Sequence, residues 1–266
     1  MSKRIRPPFK IHGGKYYLSK WVVEHFPEGY EEMDYIEPYV GAGSVILNKV
    51  KSPLEVVNDI NEGIVQIYRA LRDEPKHFIR KLKYTTYSEN VFNRELKRTE
   101  FEDYMDHAFN EFVLRRMSRG GLKKAFAWSD RQRGGQPGDV NAWNTILNIL
   151  PDIADRLSEI HVFNKPALEI ITSFDDENAM CYCDPPYLTE TRTSQKAYED
   201  EMTDDDHIEL SKALNNFRGK AVISGYPSTL YNRLYQNWNM VEKQIANHAS
   251  QQKKKTTKTE VIWTNY

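Results

Sequence analysis

Ala179-Met180-Cys181-Tyr182-Cys183-Asp184-Pro185-Pro186-Tyr187 starts as a strand and is ended by its own prolines. The first five residues are apolar or aromatic and uncharged, as in a buried strand. Proline cannot donate to a ladder, so two in succession force the chain stiffly out of the sheet at the strand's carboxyl end. Open α/β sheets bind their ligands at that edge. Asp184, the Pro185 carbonyl and the Tyr187 ring thus lie within four residues. They offer two acceptors for an exocyclic amine and a stacking face, which is what a nucleobase taken out of its duplex requires.

Strand and helix textures alternate on either side. Asp34–Tyr39 reads as a strand breaking into Val40-Gly41-Ala42-Gly43-Ser44, with an apolar helical start at Val45-Ile46-Leu47. Leu54–Asp59 is a second strand, and Ile60, Ile64, Ile67, Tyr68 and Leu71 follow at helical spacing. Glycines after a first strand let a ligand approach the backbone, and an acid ending the second is placed for ribose hydroxyls. Read alone, Gly41-x-Gly43 also suits a tight turn, and Asp59 a helix cap. Downstream of Asp184, a helix is expected at Asp204–Phe217, capped by Thr203 and Asp206. Further strands are expected at Glu159–Phe163, Lys220–Ser224, Met240–Ile245 and Thr259–Trp263. The order predicts an α/β fold: a Rossmann-like, mostly parallel sheet ending in an antiparallel hairpin. Residues 75–150 lack buried-strand texture and read as an inserted helical subdomain in a catalytic domain formed by 1–74 and 151–266.

Composition narrows the partners. The 266 residues carry 37 Lys+Arg and 38 Asp+Glu, a formal charge of -1. That balance argues against nucleic acid until the charges are located. Residues 112–138 hold Arg115, Arg116, Arg119, Lys123, Lys124, Arg131 and Arg133 against Asp130 alone, a local +6 that leaves -7 elsewhere. Five glycines with Phe126 and Trp128 lie among them, a composition suited to phosphate contact and base stacking. A second cluster, Lys253-Lys254-Lys255 with Lys258, reads as a solvated hairpin tip. No apolar run approaches the roughly 20 residues of a membrane span. The basic N-terminus has no apolar segment behind it and is not read as a secretory signal. Cys181 and Cys183 are expected on opposite faces of their strand, which argues against a disulfide, and two thiols make a poor zinc site. A reducing, cytoplasmic setting follows. Asp204-Asp205-Asp206-His207 is better explained by a helix dipole than by a metal, so no metal is expected.

Four pieces taken in order, Gly13-Gly14-Lys15, Glu37-Pro-Tyr-Val-Gly-Ala-Gly43, Asn58-Asp59-Ile60-Asn61 and Asp184-Pro-Pro-Tyr187, resemble the Dam-type N6-adenine DNA methyltransferases over essentially the whole chain. The resemblance implies S-adenosylmethionine as cofactor, with Lys15, Glu37, Gly41, Gly43, Asp59 and Asp184 in its site. It implies catalysis by Asp184, Pro185 and Tyr187, and double-stranded DNA as partner, read by the basic residues of 112–138, with no oligomer required. Ile11-His12 stands where the family has Trp-Ala, so an aromatic cofactor contact is lost. Arg115-Arg116-Met117-Ser118-Arg119-Gly120-Gly121-Leu122 departs from the Asn-Arg-x-Gly-Tyr-Asn-Gly-Leu of members that read GATC. Arginine can still read guanine bidentately, which keeps a G-containing site in view. Cytosine-N4 or RNA methylation, and a catalytically silent DNA-binding relative, are the competing readings. A nucleotide-dependent oxidoreductase is disfavoured because the third glycine of its fingerprint is missing. The expected setting is a bacterial or phage-infected cell, in restriction-modification or phage DNA modification.

Overall fold

The computed structural model describes residues 4–192, 199–246 and 257–266. Its strands are β1 (Asp34–Glu37), β2 (Glu55–Asn58), β3 (Gln132–Arg133), β4 (Gln136–Pro137), β5 (His161–Phe163), β6 (Ala179–Cys183), β7 (Lys220–Gly225), β8 (Asn239–Ala246) and β9 (Thr257–Thr264). Its α-helices are α1 (Ser19–Val23), α2 (Glu62–Asp73), α3 (Pro75–Lys83), α4 (Glu89–Leu96), α5 (Tyr104–Met117), α6 (Gly138–Leu157), α7 (Ala167–Ser173), α8 (Asp204–Asn216) and α9 (Thr229–Leu234). The chain forms two compact units. One comprises residues Met1–Val23, Val40–Lys49 and Asn61–Asn164, the other Glu24–Tyr39, Val50–Ile60 and Lys165–Tyr266.

The second unit carries the sheet, in the order β2-β1-β6-β7-β9-β8. The first four strands are parallel, and β9 and β8 run antiparallel to their neighbours. This is the expected mostly parallel sheet with a closing hairpin. Every residue of β6 is buried, as its uncharged sequence requires. Tyr35, Ile36, Val56, Val57, Val222, Ile223, Ile262 and Trp263 complete the core of the strands. On α8, Thr203 and Asp206 form the anticipated capping box. Cys181 and Cys183 correct the sequence reading: both are free and buried with their sulfurs 3.7 Å apart. Residues two apart on a strand share a face.

Helices dominate the first unit. Ile64, Ile67, Tyr68 and Leu71 bury one side of α2, which packs along α5. Asn61 caps α2 by accepting from the Ile64 amide at 3.2 Å, so the helix starts after the exposed Ile60. Phe112 of α5 meets Phe78 of α3 and Trp143 of α6 edge-on, each at 5.8 Å. The helical start expected at Val45-Ile46-Leu47 forms successive turns instead. There the backbone mixes bonds four residues apart, Leu47 to Gly43 and Lys49 to Val45, with one three apart, Asn48 to Val45, and the Asn48 side chain binds the Ser44 carbonyl and both backbone groups of Ile5. Gln132–Pro137 closes as a small hairpin around Gly134 and Gly135, which take φ of 59° and 76°. Positive φ at both central residues matches a turn that follows strand twist. Lys253–Lys255 lie outside the described residues, and Lys258 belongs to β9.

No helix among the described residues is long and apolar enough to cross a membrane. Nor, among them, does any group of three or more His, Cys, Asp or Glu side chains gather in a way that could hold a metal ion.

Candidate active site

Strand register places the chemistry. The last pair between β6 and β7 is Cys183 with Ile223, so the next residues along these parallel neighbours are Asp184 and Ser224. Asp184 is half-buried and Ser224 is fully buried. The Ser224 hydroxyl donates to Asp184 Oδ1 at 2.8 Å, and its oxygen lies 3.1 Å from the Tyr182 hydroxyl. Pro185, the next residue, is buried.

Tyr187 is buried, at 5% exposure, and its hydroxyl donates to the buried Glu260 carboxylate on β9. Its ring meets Tyr226 edge-on at 4.6 Å, and the Lys258 ammonium stands 4.8 Å from the centre of the Tyr226 ring. Burial, reinforced by Asp184 and Glu260, pushes the Tyr187 phenol well above its usual range. Burial, then Asp184, does the same to Tyr182. Both phenols therefore remain neutral donors beside carboxylates.

At the same edge of the sheet, Glu37 ends β1 and accepts from the Tyr35 hydroxyl at 2.8 Å. Asp59 is half-buried and follows the last residue of β2. Asn58, just before it, donates to the carbonyls of Pro38 and Lys165, each at 3.0 Å. Those bonds fix the chain where β1 and β2 end. Asp184, Pro185, Tyr187, Glu37 and Asp59 thus all belong to the sheet unit.

Lys15, Gly41 and Gly43 belong to the helical unit. Lys15 is buried, its ammonium 3.4 Å from the Gly13 carbonyl. Gly43 has φ of 72°, and a Cβ there would lie 2.6 Å from the Tyr68 hydroxyl, which donates to the Gly41 carbonyl. Glycine is thus required by packing as well as by conformation. The departure at Ile11 has a local consequence: its side chain lies over Gly41, 3.5 Å from where a Cβ would be.

The basic stretch is less uniform than its sequence suggests. Arg119, Lys124 and Arg131 are exposed, as is Trp128 at 68%. Arg115 is buried and bonds Glu111 at 2.5 Å, while Lys123 reaches both oxygens of that carboxylate at 3.0 Å. Arg116 donates to the Ala142 carbonyl at 2.9 Å, and burial holds its guanidinium down to about 10. Of the seven cations of this stretch, Arg115, Arg116 and Lys123 are engaged within the fold. Glu111, one residue before the counted stretch, is the reason for two of them. Arg133 lies on the backbone of β3.

Ser224, Tyr226 and Glu260 were missed by sequence reasoning. The available signal was Ser224 at the carboxyl end of the strand after the Asp184 motif. Recognising it needed the strand order that puts β6 beside β7.

Residues 12–253 match the family model of the D12 class N6 adenine-specific DNA methyltransferases. The chain belongs to that family. It is 25% identical over 263 residues to the type II methyltransferase M.MjaIII of Methanocaldococcus jannaschii, covering 89% of this chain and 90% of that protein. It is 28% identical over 252 residues to the DNA adenine methylase of Vibrio cholerae, covering 88% and 86%. To the type II methyltransferase M1.LlaDCHI of Lactococcus lactis it is 23% identical over 281 residues, covering 98% and 96%. The protein is a site-specific adenine methyltransferase whose substrate is DNA. Membership also implies an S-adenosylmethionine-dependent reaction.

Proposed function

We propose that the enzyme methylates N6 of an adenine flipped out of double-stranded DNA, by direct in-line displacement at Asp184-Pro185-Pro186-Tyr187. The observation that carries this reading is the Asp184 carboxylate at the carboxyl edge of the parallel sheet, oriented by Ser224 and followed by the buried Pro185 and Tyr187.

The donor set fits the cofactor. Ribose hydroxyls and an α-ammonium group are donors beside a cationic sulfonium, and Glu37, Asp59 and Asp184 supply acceptors of negative charge. Lys15, Gly41 and Gly43 join the proposed cofactor set by family resemblance. When bound, S-adenosylmethionine supplies an electrophilic methyl group.

The protein's task is position and electrostatics. The N6 lone pair of adenine is delocalised into the ring and attacks poorly. Hydrogen bonds from the amine to Asp184 and to the Pro185 carbonyl favour the tetrahedral geometry and stabilise the positive charge that develops on nitrogen. The proton leaves after attack, to Asp184 or to water. Tyr187 stacks on the extruded base and offsets part of the few kcal/mol of unstacking.

Residues 75–150 serve as the target-recognition insert within the catalytic chain of 1–74 and 151–266. Arg119, Lys124, Arg131 and Arg133 are its proposed phosphate and base contacts, with the exposed Trp128 as a stacking face. No metal or oligomer is needed for these steps. The reaction belongs in the cytoplasm of a bacterial or phage-infected cell, in restriction-modification or phage DNA modification. Incubating purified protein with duplex DNA and S-adenosylmethionine, then analysing nucleosides by mass, tests the reading. N6-methyladenine is expected, and N4-methylcytosine alone would replace it.

A further inference from the structure

We propose that Ser224 is a positioning residue for the methyl transfer, the central member of a relay in which Tyr182 donates to Ser224 and Ser224 donates to Asp184. The inference rests on the assignment of Asp184 as the group that holds the target amine.

The direction of the relay follows from donor capacity. An ionised carboxylate only accepts, and a serine hydroxyl has one hydrogen. Ser224 lies 2.8 Å from Asp184 Oδ1 and 3.4 Å from the Cys183 carbonyl, so that hydrogen goes to the nearer, charged acceptor. The contact of 3.1 Å between Tyr182 and Ser224 must then be donated by the phenol. Burial and the neighbouring Asp184 keep the phenol protonated, so its donor is retained. Ser224 and Tyr182 are both fully buried, which excludes competing water and strengthens both bonds.

Register makes the arrangement obligatory. Cys183 pairs with Ile223, and Asp184 and Ser224 are the next residues along β6 and β7. β7 is held on its other side by β9, with Ser224 opposite Ile262. Ser224 is thus held within β7 by the β9 ladder, one residue past the last β6 pair, whereas Asp184 stands where β6 has ended and the prolines turn the chain away. A hydroxyl on a rigid strand fixes the rotation of a carboxylate on a strand end. That rotation decides where the second carboxylate oxygen points. The target amine's pyramidal geometry depends on that direction, so a small error costs rate more than binding.

The test compares Ser224→Ala, Ser224→Thr and Tyr182→Phe with the parent enzyme in single-turnover methylation. Calorimetric affinity for S-adenosylmethionine and fluorescence of 2-aminopurine at the target position accompany the kinetics. Ser224→Ala is expected to lower the methylation rate by about 10- to 100-fold, the usual weight of a hydrogen bond to a charged group. Cofactor affinity and the fluorescence of the flipped base should stay within about twofold of the parent. Ser224→Thr keeps the hydroxyl on a strand that tolerates a β-branched residue, and should recover most of the rate. Tyr182→Phe should give a smaller loss in the same direction. A parent-like rate in Ser224→Ala would overturn the proposal, as would a loss confined to cofactor affinity or one that threonine fails to restore. A parent enzyme that leaves adenine unmethylated would refute the assignment of Asp184 itself, and is read before any variant.

Discussion

The sheet unit and the helical unit surround their buried carboxylates with different partners. Beside Asp184 and Glu260 the sheet unit buries neutral donors, the phenols of Tyr182 and Tyr187. In α8 it buries an imidazole, His207, bonded to Tyr231 at 3.0 Å. The helical unit instead sets charges in ion pairs on buried carboxylates, the buried Arg115 and half-buried Lys123 on Glu111 and the half-buried Arg98 on Glu95, with Arg98 also on the half-buried Asp106. Neutral donors leave a carboxylate its charge, as a group that must stabilise a developing cation requires. Paired charges neutralise one another, so a count of cations overstates the net charge of the stretch that holds them. The difference yields predictions that separate the two units.

The largest effect is expected at Asp184. Asp184→Ala should reduce methylation by about 1,000-fold or more while leaving DNA affinity broadly intact, as read by single-turnover kinetics beside a binding titration. Near-normal turnover would remove the sheet edge from the chemistry.

Glu111→Ala should be the costliest change to stability among the ion pairs. It leaves Arg115 buried without its carboxylate and releases Lys123, a loss of about 4 kcal/mol for breaking a buried pair from one side. Denaturant unfolding measures it, and a change under about 1 kcal/mol would mean that the pairs are expendable.

Acid should affect the units at different pH. Burial lowers the His207 imidazole to about 4, below its usual 6.5. The unfolded chain then binds the proton first, so stability falls as pH drops from about 6.5 towards 4, by up to about 3 kcal/mol. Asp106 is held down to about 2, chiefly by its bond to Arg98. Its contribution is full above the ordinary carboxylate range and is lost as pH falls through about 2. Unfolding free energies between pH 7 and 4 should slope downwards in the parent and flatten in His207→Gln. An unchanged slope would refute the buried neutral imidazole.

The smallest effect concerns DNA. Arg131→Ala should weaken binding several-fold and lower the salt slope by about 1, while Arg115→Met should leave that slope unchanged. Equal slopes for the two variants would mean that burial does not sort these arginines.

How much of this was legible in the sequence follows the same division. The order of strands and helices, the stop at Pro185-Pro186 and the cap at Thr203 were readable because they depend on local chemistry. Asp184 was readable for the same reason. Ser224 was not, since it lies 40 residues away and becomes a neighbour only through strand order. In the basic stretch, composition showed the charges but not Glu111 on the preceding turn of α5, four residues before Arg115. The turns at Val45–Leu47 were hidden because they mix helical bonds with a tighter one, Asn48 to Val45, a distinction that apolar periodicity does not make.

The most direct measurement is modification-sensitive sequencing of DNA from methylation-deficient cells that express the protein, beside cells that express Asp184→Ala. The account predicts N6-methyladenine confined to one sequence context with the parent and none with the variant. Unmodified adenine with the parent, or equal methylation with both, would contradict it.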